Sequence, residues 1–469
     1  MAIADPIQHV IVLMMENASF DRMLGALSAT IPALDGIDPT HLQSNPDFPS
    51  GQPVVQAPTT ERTMSPDPEH DLDDVLRQLT GPCQGFVSDF AQQYPQSSPQ
   101  ERAEIMGYYA NGSLPVLQTL AAQFGVCDRW YSSLPGPTWP NRFFVHSGTS
   151  LGHVDMPDGI FQPAIHLYDQ TTVYDLLSDA GISWAIYYGD FAQSLAMTHQ
   201  LTHLKNYHKM DQFFVDAAGA EQAFPQYTFI EPAYFGSAQN DQHPPSDVLR
   251  GELLIAQVYN ALQANDALWA NSLLVVLYDE HGGFYDHVDP ATAGPAVPPD
   301  GNTKTFAFNM YGVRVPAVLV SPWIDPGPIH DVFDHTSLLA FVTKKWDLGQ
   351  YGHLSDRVDA ANSFVAYLQQ RQTLRANTPS SLAESPQVIA NDPSAPLNAN
   401  QRALVGFSRF LETKTADAAS GSGKDVTKVF EEIGERLVKS MSPDGSPAEA
   451  AVSRLDAFLE ASRTQQAKS

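Results

Sequence analysis

Two cysteines in 469 residues, Cys83 and Cys127, are too few for a disulfide framework or a thiolate metal site. One bridge or two free thiols remain. Basic residues are also sparse, with 26 Lys and Arg against 53 Asp and Glu, a formal charge of -27. Such a field repels polyphosphates and argues against nucleic-acid binding. It also opposes adsorption to strongly anionic membranes, but leaves open a zwitterionic phospholipid or a single phosphate ester held by a local cation. Long apolar runs are missing: none approaches the roughly 20 residues of a membrane span. The opening MAIADPIQHVIVLMMEN has no basic n-region or cleavage site, so the cytoplasm is the expected location, or a secreted or periplasmic one where a signal has been removed. No internal repeat suggests a solenoid.

What is present reads as a folded enzyme: hydrophobic residues make up 43% and charged residues 17%. Short apolar runs at Ile7 to Met15, Gly181 to Tyr188, Tyr227 to Ile230, Leu273 to Tyr278 and Val315 to Val320 predict strands. Helical patterns lie between them at Asp71 to Leu79, Leu114 to Phe124, Val173 to Ala180, Ser246 to Ala264 and Ser337 to Lys345. The alternation predicts an α/β fold, a central mainly parallel sheet with helices on both faces. After Arg375 the chain turns rich in Pro, Ser and Asn. The expected division is a catalytic domain over 1–375, a wrapping linker with one helix (Leu404, Phe407, Leu411) over 376–424, and a helical extension over 425–469. In that extension Val426, Val429, Phe430, Ile433 and Leu437 mark one amphipathic helix, and Ala448 to Ser462 another.

Two strands end alike: HVIVLMM runs into Glu16 and Asn17, and LLVVLY into Asp279 and Glu280. Carboxyl ends of strands line the ligand crevice of an open α/β sheet, so four oxygen donors can surround one point. Each pair alone could cap a turn, but the repetition favours a hard divalent cation. Thr138, among prolines and glycines in SSLPGPTWPNRFF, is expected in a tight turn, either a structural threonine or a rigid nucleophile. Arg142 could neutralise a phosphate oxygen or form a structural salt bridge. His243 suits a phosphate contact or proton donor, while His70 and His208 fit structural positions as readily. In FDHTSLL, Asp334 could orient His335, with Thr336 or Ser337 capping the helix that follows.

Several segments together resemble one family, the phosphoesterases that include bacterial and plant non-specific phospholipases C and related acid phosphatases. ENASFDRMLG is similar to the family's ENRSFDH-type opening, GPTWPNR to its TxPNR segment, NDQHPPSDVLRGE to its DDHPP segment, and YDEHGGFYDHV to its most characteristic stretch. The resemblance implies an alkaline-phosphatase-like core and one divalent metal ion (Ca, Mg, Mn or Fe) at Glu16, Asn17, Asp279 and Glu280. It makes Thr138 the nucleophile and a further metal ligand, and sets His70, His208 and His243 around the phosphoryl group. It also implies phospholipase C cleavage of a phospholipid headgroup through a phosphothreonine, with transient membrane contact. Acid phosphatase action on a small phosphoester is the alternative, and a non-catalytic phospholipid-binding protein the lesser one. Ala18, Arg22 and Gln242 depart from the family pattern, and the expected effect is on specificity.

Overall fold

In the computed structural model the described residues are 6–157, 168–296, 306–384, 387–392, 395–419 and 447–466. The run HVIVLMM has no polar side chain after its histidine and is buried along its whole length, as a strand covered on both faces must be. It forms the centre of an eight-stranded sheet. In chain order the strands are β1 His9–Met15, β2 Gly125–Cys127, β3 Trp184–Tyr188, β4 Tyr207–Lys209, β5 Tyr227–Glu231, β6 Ser272–Tyr278, β7 Ala317–Val320 and β8 Gly327–Ile329. Across the sheet they lie in the order β8-β2-β7-β6-β1-β5-β3-β4. All run parallel except β7, which is antiparallel to both β6 and β2.

The five predicted strands are all there, although the one expected from Val315 begins at Ala317 and is the reversed one. β2, β4 and β8 were not legible, since three residues are too few to show a period. The predicted helices appear with ends shifted by a few residues, among them Leu72–Gln78, Val248–Gln263 and His335–Lys345. Several helices were missed, among them Phe86–Gln93, Met210–Ala217 and one at the site. The segment read as a tight turn at Thr138 is instead the start of the helix Thr138–Ser147, which carries Pro140 in its first turn. Proline is tolerated there because first-turn N–H groups have no intrahelical partner to lose.

Asp334, not Thr336 or Ser337, is the N-cap of the helix His335–Lys345, and Ser337 completes the capping box. The Asp334 carboxylate is held by Ser133 and Arg357 rather than by His335. Cys83 and Cys127 are free and buried. The linker lies along the main body: Tyr259 and Asn260 donate to the carbonyls of Pro379 and Leu382. The helices Ala399–Ala419 and Pro447–Gln466 bury Leu404, Phe407, Leu411, Leu455 and Leu459 in the same core as the sheet. The amphipathic stretch Val426 to Leu437 lies outside the described residues. Among the described residues no helix is long and apolar enough to cross a membrane.

Candidate active site

Register brings the two strand ends together. Met15 pairs with Tyr278, so the residues that follow, Glu16 and Asp279, leave the centre of the sheet side by side. The Asp279 N–H donates to the Met15 carbonyl at 3.2 Å, and Asp279 Oδ1 accepts the N–H groups of Asn17 (3.2 Å) and Glu280 (2.8 Å). Asn17 adopts a left-handed φ of 57°, which asparagine tolerates better than most residues. Gly282, at φ 64°, passes so close that a Cβ there would stand 2.5 Å from the Asn17 carbonyl oxygen. The Gly-Gly pair therefore permits a close backbone approach.

Glu16, Asn17, Asp279 and Glu280 are all fully buried or nearly so. Glu16 Oε2, Asn17 Oδ1 and Glu280 Oε1 have no hydrogen-bond partner among the described residues. A buried oxygen without a donor costs roughly 1–3 kcal/mol, and three such atoms on two neighbouring strand ends favour a ligand that supplies positive charge. Asp279 differs in that both oxygens are engaged, Oδ2 by Arg142, and it can add a lone pair but not a vacant atom. The donor set is oxygen throughout, which fits a hard divalent cation.

Around Glu16 and Asp279 burial outweighs the positive charge at hand, whereas at Glu280 burial is overcome by His70 and His281, which hold that carboxyl below its ordinary value. Burial pushes Asp279 up to about 7, with Arg142 opposing and Glu280 reinforcing. Burial likewise raises Glu16 well above the usual carboxylate value, against the pull of Arg142. A second buried cluster of Asp21, Asp286 and His287 shows the opposite case. There the Arg314 guanidinium already fills the gap, with Nε 2.9 Å from Asp286 and Nη2 3.2 Å from Asp21.

The helix Thr138–Ser147 brings Thr138, the nucleophile expected from the sequence. Thr138 is its first residue and is buried. Arg142, one turn on and so on the same helix face, reaches Glu16 Oε1 with Nη2 at 3.0 Å and Asp279 Oδ2 with Nε at 3.2 Å. Arg142 thus counters the carboxylates instead of standing exposed to a phosphate, although its buried Nη1 has no hydrogen-bond partner among the described residues. Asn400, at the start of the first C-terminal helix, completes the clamp. Its Nδ2 donates to Glu16 Oε1 at 2.8 Å, and its Oδ1 accepts from Trp139 Nε1 at 2.9 Å.

His70 and His243 face one another with ring centres 5.9 Å apart. His70 Nδ1 donates to the Pro68 carbonyl at 2.7 Å, and its Nε2 meets Asn17 at 3.1 Å and Glu280 Oε1 at 3.4 Å. Burial works against its charge, yet Glu280 and Asp67 raise it to about 10. His243 Nδ1 donates to the Pro244 carbonyl at 2.8 Å, leaving a buried Nε2 with no partner among the described residues. Burial, then His70, lowers it to about 3. As it sits, His243 offers an acceptor at Nε2 rather than the proton expected from the sequence.

His208 is the predicted site residue that the structure does not gather. It lies on β4, at the edge of the sheet, with its ring centre 5.6 Å from that of Tyr187. Three strand spacings, about 14 Å, separate β4 from β1. The departures from the family pattern also sit in structural roles. Arg22 lies 3.8 Å over the Phe284 ring and donates to the carbonyls of Glu104 and Gly107. Gln242 binds the Tyr278 hydroxyl and the Val248 carbonyl.

Sequence reasoning missed Asn400, which resembles any polar residue in the first turn of a helix. It also missed the job of His335, whose Nε2 donates to the Asp279 carbonyl at 2.6 Å and fixes the strand end.

The phosphoesterase family model matches residues 7–349, the span that carries every site residue described above except Asn400. The chain belongs to the phosphoesterase family. Among relatives of this phosphoesterase, "Non-specific phospholipase C6" of Arabidopsis thaliana is 35% identical over 412 residues, 83% of this chain and 77% of the relative. "Non-specific phospholipase C3" of the same plant is 34% identical over 420 residues, 82% and 77% of the two chains. "Phospholipase C B" of Mycobacterium tuberculosis strain H37Rv is 30% identical over 390 residues, 72% and 73%. A solved structure described as a protein in the alkaline phosphatase superfamily, from Vibrio parahaemolyticus, aligns at 12% identity and a TM-score of 0.30, covering 70% of this chain and 74% of its own. So distant an alignment adds nothing to the topology described above. The phosphoesterase is a hydrolase of ester bonds.

Proposed function

We propose that this phosphoesterase cleaves the headgroup phosphodiester of a phospholipid by way of a phosphothreonine at Thr138. The observation that carries the reading is the set of buried oxygens without a hydrogen-bond donor among the described residues, Glu16 Oε2, Asn17 Oδ1 and Glu280 Oε1, the last with only His70 at 3.4 Å, beside the helix that begins at Thr138. Glu16, Asn17, Asp279 and Glu280 would hold a divalent cation, calcium, magnesium, manganese or iron. When bound it lowers the pKa of a neighbouring hydroxyl and offsets phosphate charge.

Thr138 gives its hydroxyl proton to the His70–His243 pair, where His243 Nε2 is an open acceptor, and its Oγ1 forms the new bond to phosphorus while the bond to the alcohol oxygen breaks. That oxygen takes a proton from the His70–His243 pair, and the alcohol leaves. Water then attacks the phosphothreonine, giving a proton to the same pair, and the departing Thr138 oxygen takes one back from it. Arg142 holds Glu16 and Asp279 in place and offers Nη1 towards developing charge. The phospholipase C relatives support a phospholipid over other diesters.

The test is turnover of metal-replete protein on phosphatidylcholine, glycerophosphodiesters and p-nitrophenyl phosphate in parallel, with Thr138→Ala as control. Phosphatidylcholine cleavage that falls about a thousandfold or more in Thr138→Ala is expected. Turnover of the monoester alone would replace this reading with a phosphatase. Cation binding without any turnover would replace it with a binding protein.

A further inference from the structure

The strands Ser44–Pro46 and Pro53–Val55 form a small hairpin away from the main sheet. Its register pairs Ser44 with Val55 and Pro46 with Pro53, so these side chains share one face, while Asn45 and Val54 share the other. The second face is fastened down. Asn45 donates to the Cys83 carbonyl at 2.9 Å and accepts from the Phe86 N–H at 2.9 Å, and Val54 packs on the cluster around Phe86 and Phe90. Gln56, just past the hairpin, donates to Asp21 at 3.1 Å.

The outward face should be polar if it met only water. Instead it shows Val55 at 47% exposure with exposed Pro46 and Pro53, and next to it along the chain are two more exposed apolar side chains, Leu42 at 39% two residues before the strand and Phe48 at 50% in the turn. From Thr40 to Thr60 the one formally charged side chain is Asp47, and Arg102 neutralises it with Nε at 2.6 Å and Nη2 at 3.2 Å. In a chain of net charge -27 this is an apolar patch stripped of charge.

We infer that the hairpin face of Leu42, Phe48 and Val55 docks this phosphoesterase on the surface of a zwitterionic phospholipid bilayer. This rests on the phospholipase reading for its biological sense. Charge selects the occupant: the acidic body is repelled by anionic lipid, whereas a neutral apolar wedge inserts among zwitterionic headgroups without desolvating an ion. Because its inner face is bonded to the core, the wedge is rigid before it meets lipid, which lowers the ordering cost of binding. The chain leaving the hairpin reaches the site within a few residues, as Arg62 and Met64 line a small pocket together with Asn17 and Pro244.

The experiment compares the full-length protein with Phe48→Asp and with Leu42→Gln/Val55→Asn, using thermal melting to confirm that each folds. Cosedimentation with phosphatidylcholine vesicles is measured beside turnover of soluble p-nitrophenyl phosphorylcholine. The expected result is at least a tenfold loss of vesicle binding in both variants with soluble turnover unchanged. Wild-type protein that ignores the vesicles, or variants that bind them as well as wild type, would overturn the inference. So would light scattering that shows a wild-type dimer abolished by both variants, since a second copy would then cover the face. If vesicle binding follows the hairpin but no phosphodiester is cleaved, the docking surface stands and the phospholipase reading falls.

Discussion

Asn400→Ala removes two buried hydrogen bonds in one step. The Trp139 indole N–H, 2.9 Å from Asn400 Oδ1, is left buried without that acceptor, at a cost of roughly 1–3 kcal/mol. Glu16 Oε1 loses its donor at 2.8 Å but keeps the Arg142 guanidinium at 3.0 Å, which softens the second loss to about 1 kcal/mol. The expected destabilisation is therefore about 2–4 kcal/mol. Cation binding should suffer separately. Asn400 fixes the rotation of the Glu16 carboxylate so that Oε2 stays free, and loosening a support of this kind typically weakens affinity about 10- to 100-fold. Calorimetric titration with manganese or calcium, run beside thermal melting, reads both quantities. Trp139→Phe removes only the donor that orients Asn400, and should act in the same direction with a smaller effect. Combined with Asn400→Ala, it should fall short of additivity by about 1 kcal/mol, because the two changes break a shared bond. An Asn400→Ala protein with wild-type cation affinity and an unchanged melting curve would refute the clamp.

Glu252 is buried, accepts the N–H groups of Val116 and Leu117, and is pushed by burial from 4.5 up to about 7. The folded state thus holds a proton that the unfolded chain releases first, so stability present below about pH 4.5 is lost as pH rises to about 7, by roughly 3 kcal/mol. Denaturant midpoints at pH 5 and 8 should lie closer together in Glu252→Gln than in wild type. Gly282→Ala places a Cβ 2.5 Å from the Asn17 carbonyl oxygen at a positive φ, and should lower cation affinity at least about tenfold by displacing Asn17. Isothermal titration checks it. Arg142→Ala leaves the Glu16 and Asp279 carboxylates without their buried counter-charge, a loss of about 3–5 kcal/mol. Added divalent cation should raise the melting temperature of this variant more than that of wild type.

The strand ends were readable because two apolar runs of strand length each finish abruptly in a pair of oxygen donors, a change of chemistry visible in one dimension. Their adjacency was not, since it depends on Met15 pairing with Tyr278 across 263 residues. Thr138 could be singled out, but its proline-rich setting suggested a turn and hid the helix that carries Arg142 to the carboxylates. His208 was misplaced for the complementary reason. A histidine beside aromatic and basic residues looks equally available at any depth, and only the order of the strands puts it on the sheet's edge. Asn400 had no local signal at all. Its role arises from docking a helix on a site made of residues almost 400 positions earlier.

That distance has a temporal meaning. Glu16 and Asn400 are 384 residues apart, and at synthesis rates of roughly 5–20 residues per second the ribosome needs about 20 to 80 s to pass from one to the other. Over that interval the strand His9–Met15 exists without the side chain that sets the carboxylate following it. The Glu16 carboxylate would therefore take its final orientation, and the cradle its full affinity, only once the helix that carries Asn400 has docked.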